Sequence, residues 1–148
     1  MAGDRLIGET ETMRSVVVID DQVAFRSAAR RSLLGSSRFN VIGEAGSAEE
    51  GLELIERVHP DLVVMDVRLP GIDGIEATRQ LSSHEDHPDV VLVSTYGVDD
   101  LPADLNTCGA CGFVAKAQFG PDTLGTVVDN CHPADGARGA ATIFTTIA

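Results

Sequence analysis

The stretch DLVVMD, residues 61–66, decides the fold. Its four consecutive apolar residues, Leu62 to Met65, are too few for a helical pattern and too continuous for a half-exposed strand. Such a run reads as a short strand buried on both faces, the kind found in parallel sheets. It ends in a carboxylate, Asp66, and the turn Leu69-Pro70-Gly71 follows. The C-terminal tip of a central parallel strand is where open α/β sheets place their chemistry. The remainder of the chain can therefore be read for what it brings to Asp66.

Working outward, SVVVI at residues 15–19 is a β-branched run ending in Asp20-Asp21, and FNVIGEA at residues 39–45 is a second strand candidate. Downstream, VVLV at residues 90–93 ends in Ser94, and residues 109–115 hold a fifth strand, GFVA, ending in Lys116. Helical patterns fill the gaps. Residues 22–34 place Val23, Ala24, Ala28 and Leu33 on helical spacing and turn Arg26, Arg30 and Arg31 to water. Ser47-Ala48-Glu49-Glu50 has the form of a capping box, opening a helix with Ala48, Leu52, Ile55 and Val58 on one face. Asp73 and Glu76 repeat that arrangement ahead of Ile75, Thr78 and Leu81. A weaker helix covers about residues 98–107, and Pro121 opens a last one carrying Leu124, Val127 and Val128.

Five strand–helix alternations imply an α/β domain, a doubly wound five-stranded parallel sheet in the order 2-1-3-4-5 with helices on both faces. Residues 1–14 read as a flexible N-terminal tail, residues 15–131 as the domain, and residues 132–148 as an unassigned C-terminal tail. The final ATIFTTIA is β-prone and uncharged and could pair with a sheet edge or another chain, but reads as a disordered end. The 148-residue length suits one domain with a sizeable core. A formal charge of −12 argues against nucleic-acid binding, which needs clustered Lys and Arg. No apolar run is long enough for a membrane span, and the N-terminus lacks a secretory signal, so with three cysteines a reducing cytoplasm is expected.

Four strand ends carry chemically competent side chains: Asp20-Asp21, Asp66, Ser94 and Lys116. In a parallel sheet these ends share one edge. Three carboxylates brought that close need a divalent cation, and hard oxygen donors suit Mg²⁺ better than zinc. Lys116 adds a point charge and Ser94 a hydroxyl. Together they form a kit for in-line phosphoryl transfer, with Asp66 as the nucleophile that becomes an acyl phosphate.

These motifs, VVVIDD, DLVVMDVRLPGIDG, VVLVST and GFVAK, resemble in order and near-spacing the receiver domains of two-component response regulators. The resemblance covers about residues 15–131 and implies a flavodoxin-like fold. It implies that Asp66 accepts a phosphoryl group from a phosphohistidine on a sensor histidine kinase or phosphotransfer protein. Asp20 and Asp21 would bind Mg²⁺ with Asp66, and the backbone carbonyl of Arg68 would complete the set. Ser94 would take the hydroxyl position and Phe113 that of the switch aromatic, which packs inward as the hydroxyl moves toward phosphate. The receiver acts as a signalling switch rather than an enzyme. A partner, or a second copy in a homodimer, would use the face formed by the fourth helix, fifth strand and fifth helix.

The sequence departs from the family at Ala117, where a proline is common, and at Thr95 and Tyr96, where the first residue is usually very small. Thr95, Tyr96 and Arg68 are expected to crowd the water approach and slow loss of the phosphoryl group. Nothing after Cys131 is long or basic enough for a DNA-binding output domain. The alternative is a Mg²⁺-dependent phosphohydrolase with an aspartyl nucleophile, disfavoured because Arg68 stands where such enzymes carry a second acid. Cys108 and Cys111 read as two small buried thiols, Cys131-His132 as too isolated for a zinc site, and His59, His84 and His87 as solvated.

Overall fold

The computed structural model describes residues 13–95, 97, 101–132 and 144–148. In chain order the elements are β1 (Arg14–Ile19), α1 (Val23–Leu34), β2 (Phe39–Ala45), α2 (Ala48–Val58), β3 (Leu62–Asp66), α3 (Gly74–Ser82), β4 (Asp89–Ser94), β5 (Gly112–Ala115), α4 (Pro121–Cys131) and β6 (Thr145–Ile147). All strand pairs are parallel, in the order β2-β1-β3-β4-β5-β6. The doubly wound order is as expected from the sequence; among the described residues the sheet has six strands rather than five.

The continuous apolar runs are explained by two cores, one on each face of the sheet. Val17, Ile19, Val63, Met65, Leu92 and Phe113 pack on the side of α2 and α3. Val16, Val18, Leu62, Val64, Val91, Val93 and Val114 pack on the side of α1 and α4. Neighbouring strand residues point to opposite faces, so both alternating sets must be apolar.

The caps form as the sequence suggests at their first bond. Ser47 accepts from the Glu50 amide at 3.1 Å, and Asp73 from the Glu76 amide at 2.8 Å. The return arm of the first box reaches one residue further back, where Glu50 accepts from the Gly46 amide. In the second box, Glu76 instead pairs with Arg79.

Four readings need correction. On α1 the inward residues are Phe25, Ala29 and Leu33, while Val23, Ala24 and Ala28 are exposed; the helix is rotated relative to the expected face. That rotation brings Arg26 off the water side, where it donates to Glu44 and to the Asp20 carbonyl. The helix expected over residues 98–107 is, in its described part, a single 3-10 turn at Leu105–Thr107. Asp104, Asn106 and Thr107 are weak helix formers, and Gly109 follows with φ of +104°. Residues 98–100 lie outside the described ones.

The third correction concerns the tail. Thr145–Ile147 is a strand at the sheet edge, paired with β5 from Gly112 to Val114. Gly112 makes that approach possible, since a Cβ there would lie 2.3 Å from the Thr145 carbonyl oxygen. Residues 133–143 lie outside the described ones. The fourth concerns cysteine: Cys108 is a buried free thiol, but Cys111 is joined to Cys131 in a disulfide with 5.4 Å between Cα atoms.

Candidate functional site

Strand register assembles the site. Ile19 lies beside Met65, Asp66 beside Val93, and Ser94 beside Ala115. One step past each pairing, Asp20, Asp66, Ser94 and Lys116 arrive at the same rim, although they span nearly the whole domain in sequence. Asp20, Asp66 and Ser94 are buried, at 0%, 5% and 1% exposure, while Asp21 faces solvent.

Lys116 closes the group. Its Nζ lies 2.7 Å from Asp20 Oδ2 and 3.5 Å from Asp66 Oδ2. It also donates to Gln22 Oε1 at 3.0 Å and sits 4.8 Å from the centre of the Phe25 ring. Asp20 is held by the Gln22 amide on Oδ1, and Arg26 donates to its backbone carbonyl at 2.6 Å. The Arg68 amide donates to Asp66 Oδ1 at 3.3 Å, folding the segment after β3 back over the strand tip. Gly74 backs this turn so closely that a Cβ would lie 2.0 Å from the Asp66 carbonyl oxygen.

Burial pushes the Asp66 carboxyl up to about 6, helped by repulsion from Asp20; Lys116 pulls it partly back, as does the Arg68 amide. The site therefore holds more negative charge than its one lysine balances. Ligand oxygens of Asp20, Asp21 and Asp66 lie within 4.8 Å of one another. Buried Asp20 Oδ2 has no hydrogen-bond partner among the described residues despite its closeness to Lys116. A buried carboxylate oxygen whose ion-pair partner is the Lys116 ammonium, beside two further carboxylates, belongs to a donor set that a hard dication fits.

The structure thus brings together Asp20, Asp21, Asp66, Ser94 and Lys116 and puts Arg68 alongside. Phe113 lies on β5, three residues before Lys116, fully buried in the core shared with Leu92, Leu105 and Ala115. Thr95 is exposed just past Ser94, and Tyr96 lies outside the described residues. Sequence reasoning passed over Gln22 and Phe25 and turned Arg26 to water; their signal was only their position after the Asp20-Asp21 pair. It also passed over Gly74, whose close approach was visible only as the last glycine of LPGIDG.

The family model for the response regulator receiver domain matches residues 16–129. The chain belongs to that family. Among curated relatives, response regulator GacA of Pseudomonas viridiflava is 41% identical over 106 residues, which is 70% of this chain and 49% of that protein. Response regulator UvrY of Escherichia coli K12 is 31% identical over 104 residues, 70% of this chain and 48% of that protein. The receiver thus spans about half the length of such relatives.

Of solved structures, the signal receiver domain of the response regulator NarL from Mycobacterium tuberculosis aligns with a TM-score of 0.70 at 35% identity, over 79% of this chain and 94% of that one. A CheY-like receiver from Methanospirillum hungatei, 23% identical, shares the fold with a TM-score of 0.66 over 80% of this chain and 93% of that one. The chain is a receiver domain of the two-component response regulator type. Among the described residues no helix is long and apolar enough to cross a membrane.

Proposed function

We propose that this receiver takes one phosphoryl group onto Asp66 from a phosphohistidine of a sensor histidine kinase or phosphotransfer protein, and that the acylated state carries the signal. A carboxylate oxygen of Asp66 attacks phosphorus in line, the phosphorus–nitrogen bond breaks, and the departing imidazole keeps the electron pair and takes a proton. Asp20, Asp21, Asp66 and the Arg68 carbonyl would hold Mg²⁺, which when bound supplies positive charge for the transferring phosphoryl oxygens. Lys116, fixed by Asp20 and Gln22, supplies a second positive charge at the same rim. The Ser94 hydroxyl donates to the phosphoryl group, and the movement of the β4 tip is passed to Phe113, which is already buried beside Leu92.

The observation that carries this reading is the excess of buried negative charge at Asp66, with Lys116 within reach of both Asp20 and Asp66. Such a site is unfavourable empty and becomes balanced with a dication and a phosphoryl group. The receiver acts once per phosphoryl group, as a switch rather than by turnover. It would work in the cytoplasm and pass its signal through the face of β5 and α4, to a partner or a second copy. Direct nucleic-acid binding is not expected of a chain carrying a charge of −12.

Incubation with acetyl phosphate and Mg²⁺, read by intact mass, tests the proposal. Labelling should stop at one phosphoryl group per chain and be absent from Asp66→Asn. Continuous turnover of a small phosphoester would favour a phosphohydrolase and refute the switch.

A further inference from the structure

The opposite edge of the sheet holds a second cluster that the phosphoryl chemistry does not use. Asp89 opens β4, whose other end is Ser94; Cys111 immediately precedes β5; Cys131 closes α4, and His132 follows it. One ligand atom from each of these four lies within 4.8 Å of the others. His132 Nε2 is 2.5 Å from Asp89 Oδ2, and Arg14 holds that same oxygen at 2.6 Å. Asp89, Cys111 and Cys131 are buried. Asp89, His132 and Arg14 also line a cavity of about 650 Å³, so two of the four groups border a recess.

We propose that, when the disulfide is reduced, Cys111, Cys131, His132 and Asp89 form a site for a thiolate-preferring divalent ion of the zinc class. Two sulfurs, one imidazole nitrogen and one carboxylate oxygen are a tetrahedral donor set that zinc takes and Mg²⁺ does not. The charges close: two thiolates and a carboxylate are balanced by the dication and the Arg14 guanidinium. Arg14 has the place of an outer-shell group orienting the carboxylate. With metal–sulfur bonds of about 2.3 Å, tetrahedral geometry sets the sulfurs roughly 3.8 Å apart. Side-chain rotation from Cα atoms 5.4 Å apart can reach that spacing.

The disulfide is then the metal-free, oxidised form of the same residues. A dithiol donates two electrons and two protons to the sulfur–sulfur bond and becomes a disulfide itself; the two thiols formed release their protons as the ion binds. The isolation of Cys131-His132 in the sequence is thereby removed, because the fold carries Cys111 and Asp89 to them.

The test uses the full chain, reduced with a phosphine and stripped of metal, then titrated with Zn²⁺ against a chromophoric chelator and separately with Co²⁺. The expected result is one equivalent bound, with sulfur-to-cobalt charge transfer and the intense bands of tetrahedral cobalt. Cys131→Ser should abolish binding. His132→Ala, which keeps both cysteines, should weaken it roughly tenfold or more while leaving labelling by acetyl phosphate intact, and Asp66→Asn should leave zinc uptake unchanged. No uptake by the reduced chain, uptake that survives Cys131→Ser, or a pale octahedral cobalt spectrum would each overturn the proposal.

Discussion

Replacing Asp66 with asparagine should stabilise this receiver in the absence of Mg²⁺, and by an amount that depends on pH. The buried carboxyl is raised from 3.8 to about 6, first by burial and then by Asp20. At about 1.4 kcal/mol per tenfold change in proton affinity, that amounts to about 3 kcal/mol of cost for ionising Asp66 in the folded state. The sign follows from the direction. Below pH 3.8 the carboxyl is neutral in both folded and unfolded chains, and no cost is felt. As pH rises the unfolded chain ionises first, stability is lost progressively, and the loss is complete above about pH 6. Asp66→Asn removes this titration while keeping an oxygen for the Arg68 amide, and Lys116 keeps Asp20 and Gln22 as partners. Thermal unfolding in EDTA should therefore show the variant higher by roughly 10 °C at pH 8, with the two curves converging near pH 4. Added Mg²⁺ should stabilise the wild type and shrink the gap. A variant no more stable than wild type at pH 8, or a gap that does not change with pH, would refute the account of charge at the site.

Lys116→Met should leave Asp20 buried without its cation and cost about 3 kcal/mol in EDTA, partly restored by Mg²⁺; denaturant melts with and without the ion measure both. Gly74→Ala should be destabilising by about 3 kcal/mol or more and should abolish labelling by acetyl phosphate, because the added methyl meets the Asp66 carbonyl at 2.0 Å. Phe113→Ala should cost about 3–5 kcal/mol through the cavity it leaves in the core, checked by chemical denaturation. Thr95→Ala should shorten the lifetime of the phosphorylated state if Thr95 crowds the approach of water, read as decay of the phosphoryl mass; an unchanged lifetime would end that idea.

What the sequence determined alone is the sheet and the rim. Runs such as VVVI and LVVM can be satisfied only by burial on both faces, and parallel strands separated by helices must bring their C-terminal ends to one edge. Asp20, Asp66, Ser94 and Lys116 were therefore legible before any coordinates, because the placement rests on backbone periodicity and topology rather than on packing detail. The third helix was equally legible, since Ile75, Thr78 and Leu81 lie on one stripe flanked by a cap.

Tertiary structure decided the rest, wherever a contact is made between segments that local pattern does not link. The rotation of α1 follows from Phe25 and Leu33 finding the core and Arg26 finding Glu44. The sixth strand exists because β5 offers an open edge and Gly112 lets the chain approach; TTI is β-prone, but its local pattern does not say which edge it meets. The joining of Cys111 and Cys131 with Asp89 and His132 requires β4, β5 and α4 to begin or end at one place. Local pattern states which face a residue turns to; only the packed chain states which distant residue meets it there.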